Sequence, residues 1–368
     1  MVDIRNYKNL NFSTFDETVK NGYQAFLRYY EAYQKGLSEV EATDGSKISF
    51  AEMEKRQKKF VRDEVNRLTK YDILSETPTM QECIKATPVL FEVIGMMTEL
   101  ILPTAMNKSG LEKICEFRYI GWGDTARFDI RSRDLFVVSK VSKGVRHAFN
   151  ERTYDGEVTL AAEARELTVE ASLYNILCGT ASLAEFVSKV IMAFENNLIK
   201  DIYTCLLGGT SGLATTGSKQ LQLNGYTQDA YVALAQKIGA WNGSEPLAIG
   251  TKLALNKVTP SGSNYTVHTE LGSEFTRLGY LTDMMGINTL ELKQVADYTV
   301  EFGTLIDDDK IFLISPIGKP IKVVFEGTPI AIPAENFNYA DLKVRTSLIK
   351  MYGVGFISNA LIGRVNLT

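Results

Sequence analysis

From Leu183 to Leu206 one helical rhythm of apolar residues runs unbroken for over twenty residues, and any fold open to this chain must give that stretch a surface to lie on. Leu183, Phe186, Val187, Val190, Ile191, Phe194, Leu198, Ile202, Cys205 and Leu206 keep the i, i+3, i+4 spacing of a buried helix face. Ser182 stands three residues before Glu185, the spacing of a capping box, and Glu185 and Lys189 form a favourable i, i+4 pair on the polar side. Gly208-Gly209 ends the run. At 1.5 Å per residue the predicted helix is roughly 35–40 Å long, well beyond the globular average, and reads as a spine laid along a sheet.

The sheet is predicted on both sides of it. Between Gly110 and Asn175 the period changes to two: Phe117 and Tyr119 alternate with Glu116 and Arg118, and Phe128 and Ile130 with Arg127, Asp129 and Arg131. Leu167, Val169, Ala171 and Leu173 alternate with Glu166, Thr168, Glu170 and Ser172. From Arg118 to Glu157 lie eight basic residues, Arg118, Arg127, Arg131, Arg133, Lys140, Lys143, Arg146 and Arg152, and six acidic ones, Asp124, Asp129, Asp134, Glu151, Asp155 and Glu157. So many mixed charges fit a buried sheet poorly and suit a projecting ribbon, exposed on both faces or covered by another chain.

The first 77 residues differ from the rest. Within Ser49 to Lys70, Phe50, Met53, Phe60, Val61, Val65 and Leu68 form a narrow apolar stripe among Lys, Arg and Glu. A stripe this narrow needs a partner surface. Its own domain, a neighbouring subunit or scaffold, and nucleic acid are all open. Pro78 and Pro88 close this arm, and a second helix carried by Leu90, Phe91, Ile94, Met97 and Leu100 runs to Pro103.

After the spine, Tyr226 to about Pro316 reads as a compact α/β unit. Ala230, Tyr231, Leu234, Ala235 and Ile238 make a helix, Leu247 to Ile249 a strand, Ser273 to Leu281 a helix, and Asn288 to Val295 and Lys310 to Ile314 strands. Lys322 to Phe325, Leu342 to Tyr352 and Gly355 to Leu367 are predicted strands that return to the spine. The chain thus leaves one domain, builds a second, and comes back.

Composition narrows the function classes. A chain of 368 residues suits two cores, and a formal charge of −4 argues against a dedicated nucleic-acid binder. No segment is predicted to span a membrane: the longest apolar stretch, Val89 to Leu102, is interrupted by Glu92 and Glu99. The start, Met-Val-Asp-Ile-Arg-Asn, lacks the apolar core of a secretory signal. Cys83, Cys115, Cys178 and Cys205 are scattered and read as buried thiols of a reducing compartment.

Catalytic constellations are absent from the pattern. His147 and His268 each have one carboxylate nearby, Glu151 and Glu270, and no second metal ligand. Gly208-Gly209-Thr210-Ser211-Gly212-Leu213 follows a helix rather than a strand and lacks a closing Gly-Lys, so it reads as a turn and not a phosphate loop. Asp307-Asp308-Asp309 reads as a solvated hairpin turn. No catalytic, cofactor or metal residue is expected.

The order of parts resembles the Hong Kong 97-type capsid fold of tailed-bacteriophage major capsid proteins, over roughly residues 80–368. Leu206-Leu207-Gly208-Gly209-Thr210 looks like that family's exit from the spine helix, and Leu305 to Ile314 like its turn-then-strand segment. Tyr352-Gly353-Val354-Gly355-Phe356 and Ala360-Leu361-Ile362-Gly363 look like its closing strands. The resemblance implies an α+β fold with an N-terminal helical arm over 1–77 and an extended E-loop hairpin over 111–156. It implies a peripheral domain carrying the spine helix over 78–110, 157–225 and 317–368, and an axial α/β domain over 226–316.

In that family the E-loop drapes over a neighbouring subunit. The resemblance therefore points to Arg127, Phe128, Asp129, Ile130, Arg131, Arg133 and Asp134 as inter-subunit contacts, and to Phe50, Met53, Phe60 and Val61 of the arm as subunit or scaffold contacts. It implies a non-enzymatic, self-assembling subunit forming hexamers and pentamers of an icosahedral shell around double-stranded DNA, located in the virion and assembled in the host cytoplasm. Portal, scaffolding and decoration proteins are the expected partners, with no cofactor, no membrane and no sequence-specific DNA binding. The arm runs from Met1, so a separate scaffolding protein, or none, is expected in place of a cleaved leader. Two alternatives stand beside this reading: an encapsulin-type nanocompartment shell, and a two-domain enzyme.

Overall fold

The structure, a computed structural model, describes residues 17–41, 45–69, 89–98, 101–102, 110–130, 156–172, 182–258, 275–297, 300–333 and 343–367. Two helices open it, α1 (Glu17–Gln34) and α2 (Phe50–Thr69), with a small hairpin of β1 (Glu39–Glu41) and β2 (Lys47–Ser49) between them. A third helix, α3, covers 89–98. The spine is α4 (Leu183–Gly209), 27 residues and about 40 Å long. Ser182 caps it as the sequence predicts, accepting a hydrogen bond from the Glu185 amide at 3.2 Å.

Of the residues from Ala184 to Gly209, only Lys189, Lys200, Thr204 and Gly208 are exposed, so the helix is walled in on nearly every side. One wall is a four-stranded sheet, ordered β3 (Cys115–Ile120), β14 (Ile321–Pro333), β15 (Lys343–Phe356), β6 (Glu163–Ser172). β3 runs parallel to β14, and the other pairs are antiparallel. A second wall is a six-stranded sheet ordered β7 (Gln222–Asn224), β16 (Gly363–Asn366), β13 (Lys310–Ile314), β8 (Leu247–Gly250), β10 (Ile287–Glu291), β9 (Asp283–Met284).

Period-two geometry lets the six-stranded sheet serve two cores at once. Phe312 and Ile314 of β13, with Leu247 and Ile249 of β8, face the spine residues Val190, Phe194, Leu198, Ile202 and Leu206. Ile311, Leu313 and Ala248 point the other way, onto α5 (Gln228–Asn242) and α6 (Lys252–Val258). Ile321, Val323, Phe325, Leu348 and Tyr352 of the four-stranded sheet join the spine cluster, so the two sheets share one continuous core through α4.

Three expectations change here. The C-terminal strands do not all return to the spine's own sheet: 321–356 do, while β16 pairs with β13 and β7 in the α/β unit. The domain range 317–368 therefore belongs to the first domain only in part. The break between the last two strands, expected after Tyr352, falls after Phe356 instead, so that Lys343–Phe356 is one strand and Gly363–Asn366 the next. The acidic triplet is not a freely solvated turn. Asp307 accepts hydrogen bonds from Tyr203 Oη at 2.7 Å and from Lys310, Asp308 from Thr251 and from Gln294 Nε2 at 3.2 Å, and Asp309 from Lys257. Asp307 thus joins α4 to the start of β13, and Asp308 and Asp309 hold the two ends of α6, so the triplet is a fastening between these elements.

Close approach of backbone is decisive at Gly353 in β15, where an added Cβ would lie 2.3 Å from the Ala161 carbonyl oxygen. A backbone atom cannot move aside as a side chain can. Gly353→Ala is therefore expected to lower stability by about 1–3 kcal/mol, read as an earlier chemical-denaturation midpoint with an unchanged slope.

Candidate assembly surfaces

The charged ribbon begins as an ordinary half-buried hairpin. β4 (Ala126–Ile130) pairs antiparallel with β5 (Gly156–Leu160), Phe128 opposite Val158 and Ala126 opposite Leu160. Along β4 exposure alternates: Ala126 and Phe128 are buried, Arg127 and Asp129 exposed, Ile130 half-buried. Phe128 packs with Ala126 on Val324 of β14, flanked by Ile120, Leu160 and Ile357.

Phe128 therefore contacts its own chain, which corrects its expected role as a contact to a neighbour. The reason is the pleat: alternate residues of β4 must cover the sheet beneath. Arg127 pairs with Glu157 across the hairpin at 3.4 Å and is free to face outward with Asp129. Ile130 is left half-covered at the hairpin's far end. Arg131, Arg133 and Asp134 lie outside the described residues, as do His147, His268, Cys83 and Cys178.

A partly buried ionic cluster anchors this hairpin. Arg118 stands 4.3 Å from the Phe128 ring centre, donates to the Arg127 carbonyl at 2.5 Å, and pairs with Glu116 at 2.8 Å. Lys322, almost fully buried, pairs with the same carboxylate and donates to the Gly318 carbonyl at 2.7 Å. Burial alone would raise the Glu116 carboxyl, yet the hydrogen bonds and charges of Lys322 and Arg118 outweigh it and hold the group below the usual glutamate range.

On the sheet's edge, Trp122 lies over Gly327, where an added Cβ would come within 2.3 Å of the indole, and the Gly123 amide donates to Glu326 at 2.7 Å. Gly327 sits in the β14 irregularity between Glu326 and Ile330 with φ +54°, a left-handed position that glycine supplies. The ribbon is thus clamped at its root by an aromatic clasp on one side and an ion cluster on the other.

The arm is fastened to the spine instead of projecting from it. Of its expected contact residues, Met53 and Val61 are buried within this chain, and Phe50 and Phe60 are half-buried. The Phe60 ring fills the space over Gly22, and Phe50 meets Tyr29 edge-on at 4.9 Å. Packing on its own domain is the reading the structure gives for this stripe, which corrects the expectation that all four residues serve a neighbour.

Polar links fix the angle. Glu54 accepts from Tyr29 Oη at 2.9 Å and from Ser182 Oγ at 2.8 Å, so the cap of α4 is also the socket of α2. Glu195, buried in the middle of α4, accepts from Tyr30 Oη and from Gln34 Nε2 at 2.8 Å, with Lys293 Nζ at 4.0 Å. Burial, and the negative Glu195 beside it, push the Tyr30 phenol far above its ordinary value. Sequence reading missed α1 altogether, although Tyr23, Phe26, Tyr30 and Tyr33 stand at helical spacing.

Cys115 and Cys205 are free thiols, pushed up by burial to about 12 and about 11. Among the described residues no cluster of His, Cys, Asp or Glu could hold a metal ion, and no helix is long and apolar enough to cross a membrane.

No protein-family description matches this sequence, and no curated protein matches it. Solved structures do. The bacteriophage PhiM1 mature capsid is 12% identical with a TM-score of 0.46, over 70% of this chain and 86% of that one. The capsid of a native GTA particle is 11% identical with a TM-score of 0.47, over 71% and 90%. A virus-like particle from Pyrococcus furiosus is 14% identical with a TM-score of 0.42, over 72% and 96%.

Three outcomes are expected from this geometry. Tyr30→Phe leaves the buried Glu195 short of a donor and should cost roughly 1.5–3 kcal/mol, measured by thermal or chemical unfolding. Because the folded Glu116 carboxyl is held below its unfolded value, its contribution is complete above the ordinary glutamate range and is lost as pH falls through the folded value. Glu116→Gln should therefore flatten the acid limb of the stability curve below about pH 4.5, while leaving neutral-to-alkaline slopes alone. Brief iodoacetamide treatment at pH 8 should leave Cys115 and Cys205 unmodified in peptide maps of the folded protein, since the thiolate is the reacting form.

Proposed function

We propose that this chain is the subunit of a closed protein shell, a major capsid protein that forms hexamers and pentamers around double-stranded DNA and carries out no catalysis. The observation that carries the proposal is the rooted ribbon. Ile130 and Gly156, which flank residues 131–155 in the chain, stand opposite each other in one hairpin whose base is locked to the sheet. Those 25 intervening residues carry six basic and three acidic side chains interleaved with apolar ones such as Leu135, Phe136, Val138 and Phe149.

Ordering such a segment costs on the order of 1–2 kcal/mol per residue in backbone entropy, a cost that covering its apolar side chains on a second surface offsets. Laid across a neighbouring copy, its Arg131, Arg133 and Asp134 find opposite charges, and the outward Arg127 and Asp129 extend the same contact. Each rim pair contributes little, but a symmetric shell repeats it at every subunit. The near-neutral formal charge of −4 supports a wall that encloses nucleic acid without binding it tightly. Portal, scaffolding or decoration proteins complete such a particle, whose place is the virion after assembly in the host cytoplasm.

Replacing 131–155 by a two-residue turn tests this. The variant is expected to keep its circular dichroism and melt cooperatively, since the Phe128 root remains, yet sediment as subunits that form no shells. Shells of normal size and stability from the shortened chain would refute the role given to the ribbon. Contents distinguish the viral shell from a nanocompartment: particles purified from their natural source should hold double-stranded DNA, and a packaged enzyme in its place would favour the encapsulin-type alternative.

A further inference from the structure

The most exposed large apolar side chain described is Phe302, at 96% of its full accessibility. It stands in the turn of a short hairpin formed by β11 (Ala296–Asp297) and β12 (Gly303–Thr304), closed by the Gly303 amide donating to the Val300 carbonyl at 3.1 Å. Its φ is +55°, the left-handed region where a side chain bearing Cβ is disfavoured and glycine is the usual occupant. Val300, in the same turn, is 59% exposed, and Glu301 between them is exposed too. A turn that holds an aromatic where glycine fits better, and points it into solvent, has no rationale within one subunit.

The hairpin is presented on a fixed base. Val295 and Ile306, just below it on either side, are buried in the spine core. Gln294 clamps the two sides together, accepting from the Ile306 amide at 3.0 Å and donating to the Ile306 carbonyl at 2.8 Å. Beyond that base stand the exposed Val300 and Phe302 with the Glu301 carboxylate between them.

A complementary surface lies elsewhere on the same chain. On α6, Leu253 is 51% exposed next to the exposed Lys252, and the helical turn at 275–278 exposes Phe275 and Arg277. The two segments are joined: Asn256 Nδ2 donates to the Gly279 carbonyl at 2.6 Å, and the Lys252 stem packs over Gly279. Leu253 and Phe275 thus stand on two segments held together at Gly279, with the cations Lys252 and Arg277 close to them in sequence, where the tip carries an anion. Since Phe302 is almost wholly exposed, it does not reach that surface within its own chain.

We propose that the Val300–Phe302 tip of one copy seats on the Leu253–Phe275 patch of the next, with Glu301 against Lys252 and Arg277. The two surfaces are different, so the contact is head-to-tail, the kind that generates rings when its rotation closes. A central aromatic anchor with a charged rim is the arrangement that carries most of the energy of a small interface. The inference rests on the shell reading and names one contact that builds its rings.

The test uses the full-length protein and measures the lowest concentration at which it assembles, by sedimentation and electron microscopy. Phe302→Gly suits the left-handed position, so it should melt at or above the wild-type temperature while raising that concentration at least tenfold. Glu301→Arg should also weaken assembly, and the double variant Glu301→Arg, Arg277→Glu should recover most of the loss. Wild-type assembly unchanged in both single variants would overturn the tip as a contact, and failure of the double variant to recover would overturn the patch as its seat. A wild-type protein that never assembles would instead contradict the shell reading itself, and this contact with it.

Discussion

A helix with an apolar face this long cannot be left in water, and the architecture follows from covering α4. One sheet alone shelters one side of it. Here the four-stranded sheet, the six-stranded sheet and the α1–α2 arm each take a share, and residues from both sheets merge into one core around Phe194, Leu198 and Ile202. The arm closes the beginning of the helix through Glu54 and Ser182, and reaches its middle through Tyr30 and Glu195. The acidic turn at Asp307 holds its later half through Tyr203. Two domains built on a common helix move as one body more readily than two joined by a linker, which suits a wall panel.

What the sequence disclosed, and what it hid, follows from the range of each interaction. The spine was legible because its signal is local: cap, period and glycine stop all lie within one segment. Lys310 to Ile314 was legible for the same reason, its run of apolar residues marking a strand buried on both faces. Partners were not legible. Nothing in Gly363–Asn366 says that it pairs with β13 and β7 instead of the strands preceding it in sequence, because register and neighbour are set by residues far away along the chain.

The ribbon gave a mixed result for a related reason. Its charge density predicts a projecting ribbon whose centre lies outside the described residues, while at its root the alternation at Ala126 and Phe128 was a core signal in its own right, and Phe128 obeyed it. Arm helix α1 was hidden by its polar content, though its aromatic residues kept helical spacing. Phe302 drew no notice because an aromatic residue in a sequence carries no mark of its exposure. Its meaning comes from accessibility and backbone angle together, and both belong to the folded chain.

Taken together, the internal contacts account for stability and leave the outward ones without a purpose in a single subunit. Asp129 on the ribbon root, and the Phe302 tip with the exposed Lys252 and Arg277, face solvent on a body otherwise tightly fastened. Repetition of the same chain is the simplest condition that gives all of them partners. Electron microscopy of the purified intact protein across a range of concentrations tests that claim most directly. The account predicts rings of five or six copies and closed, hollow shells of uniform diameter. A population that remains single subunits at the highest soluble concentration, under conditions where the fold is intact, would contradict it.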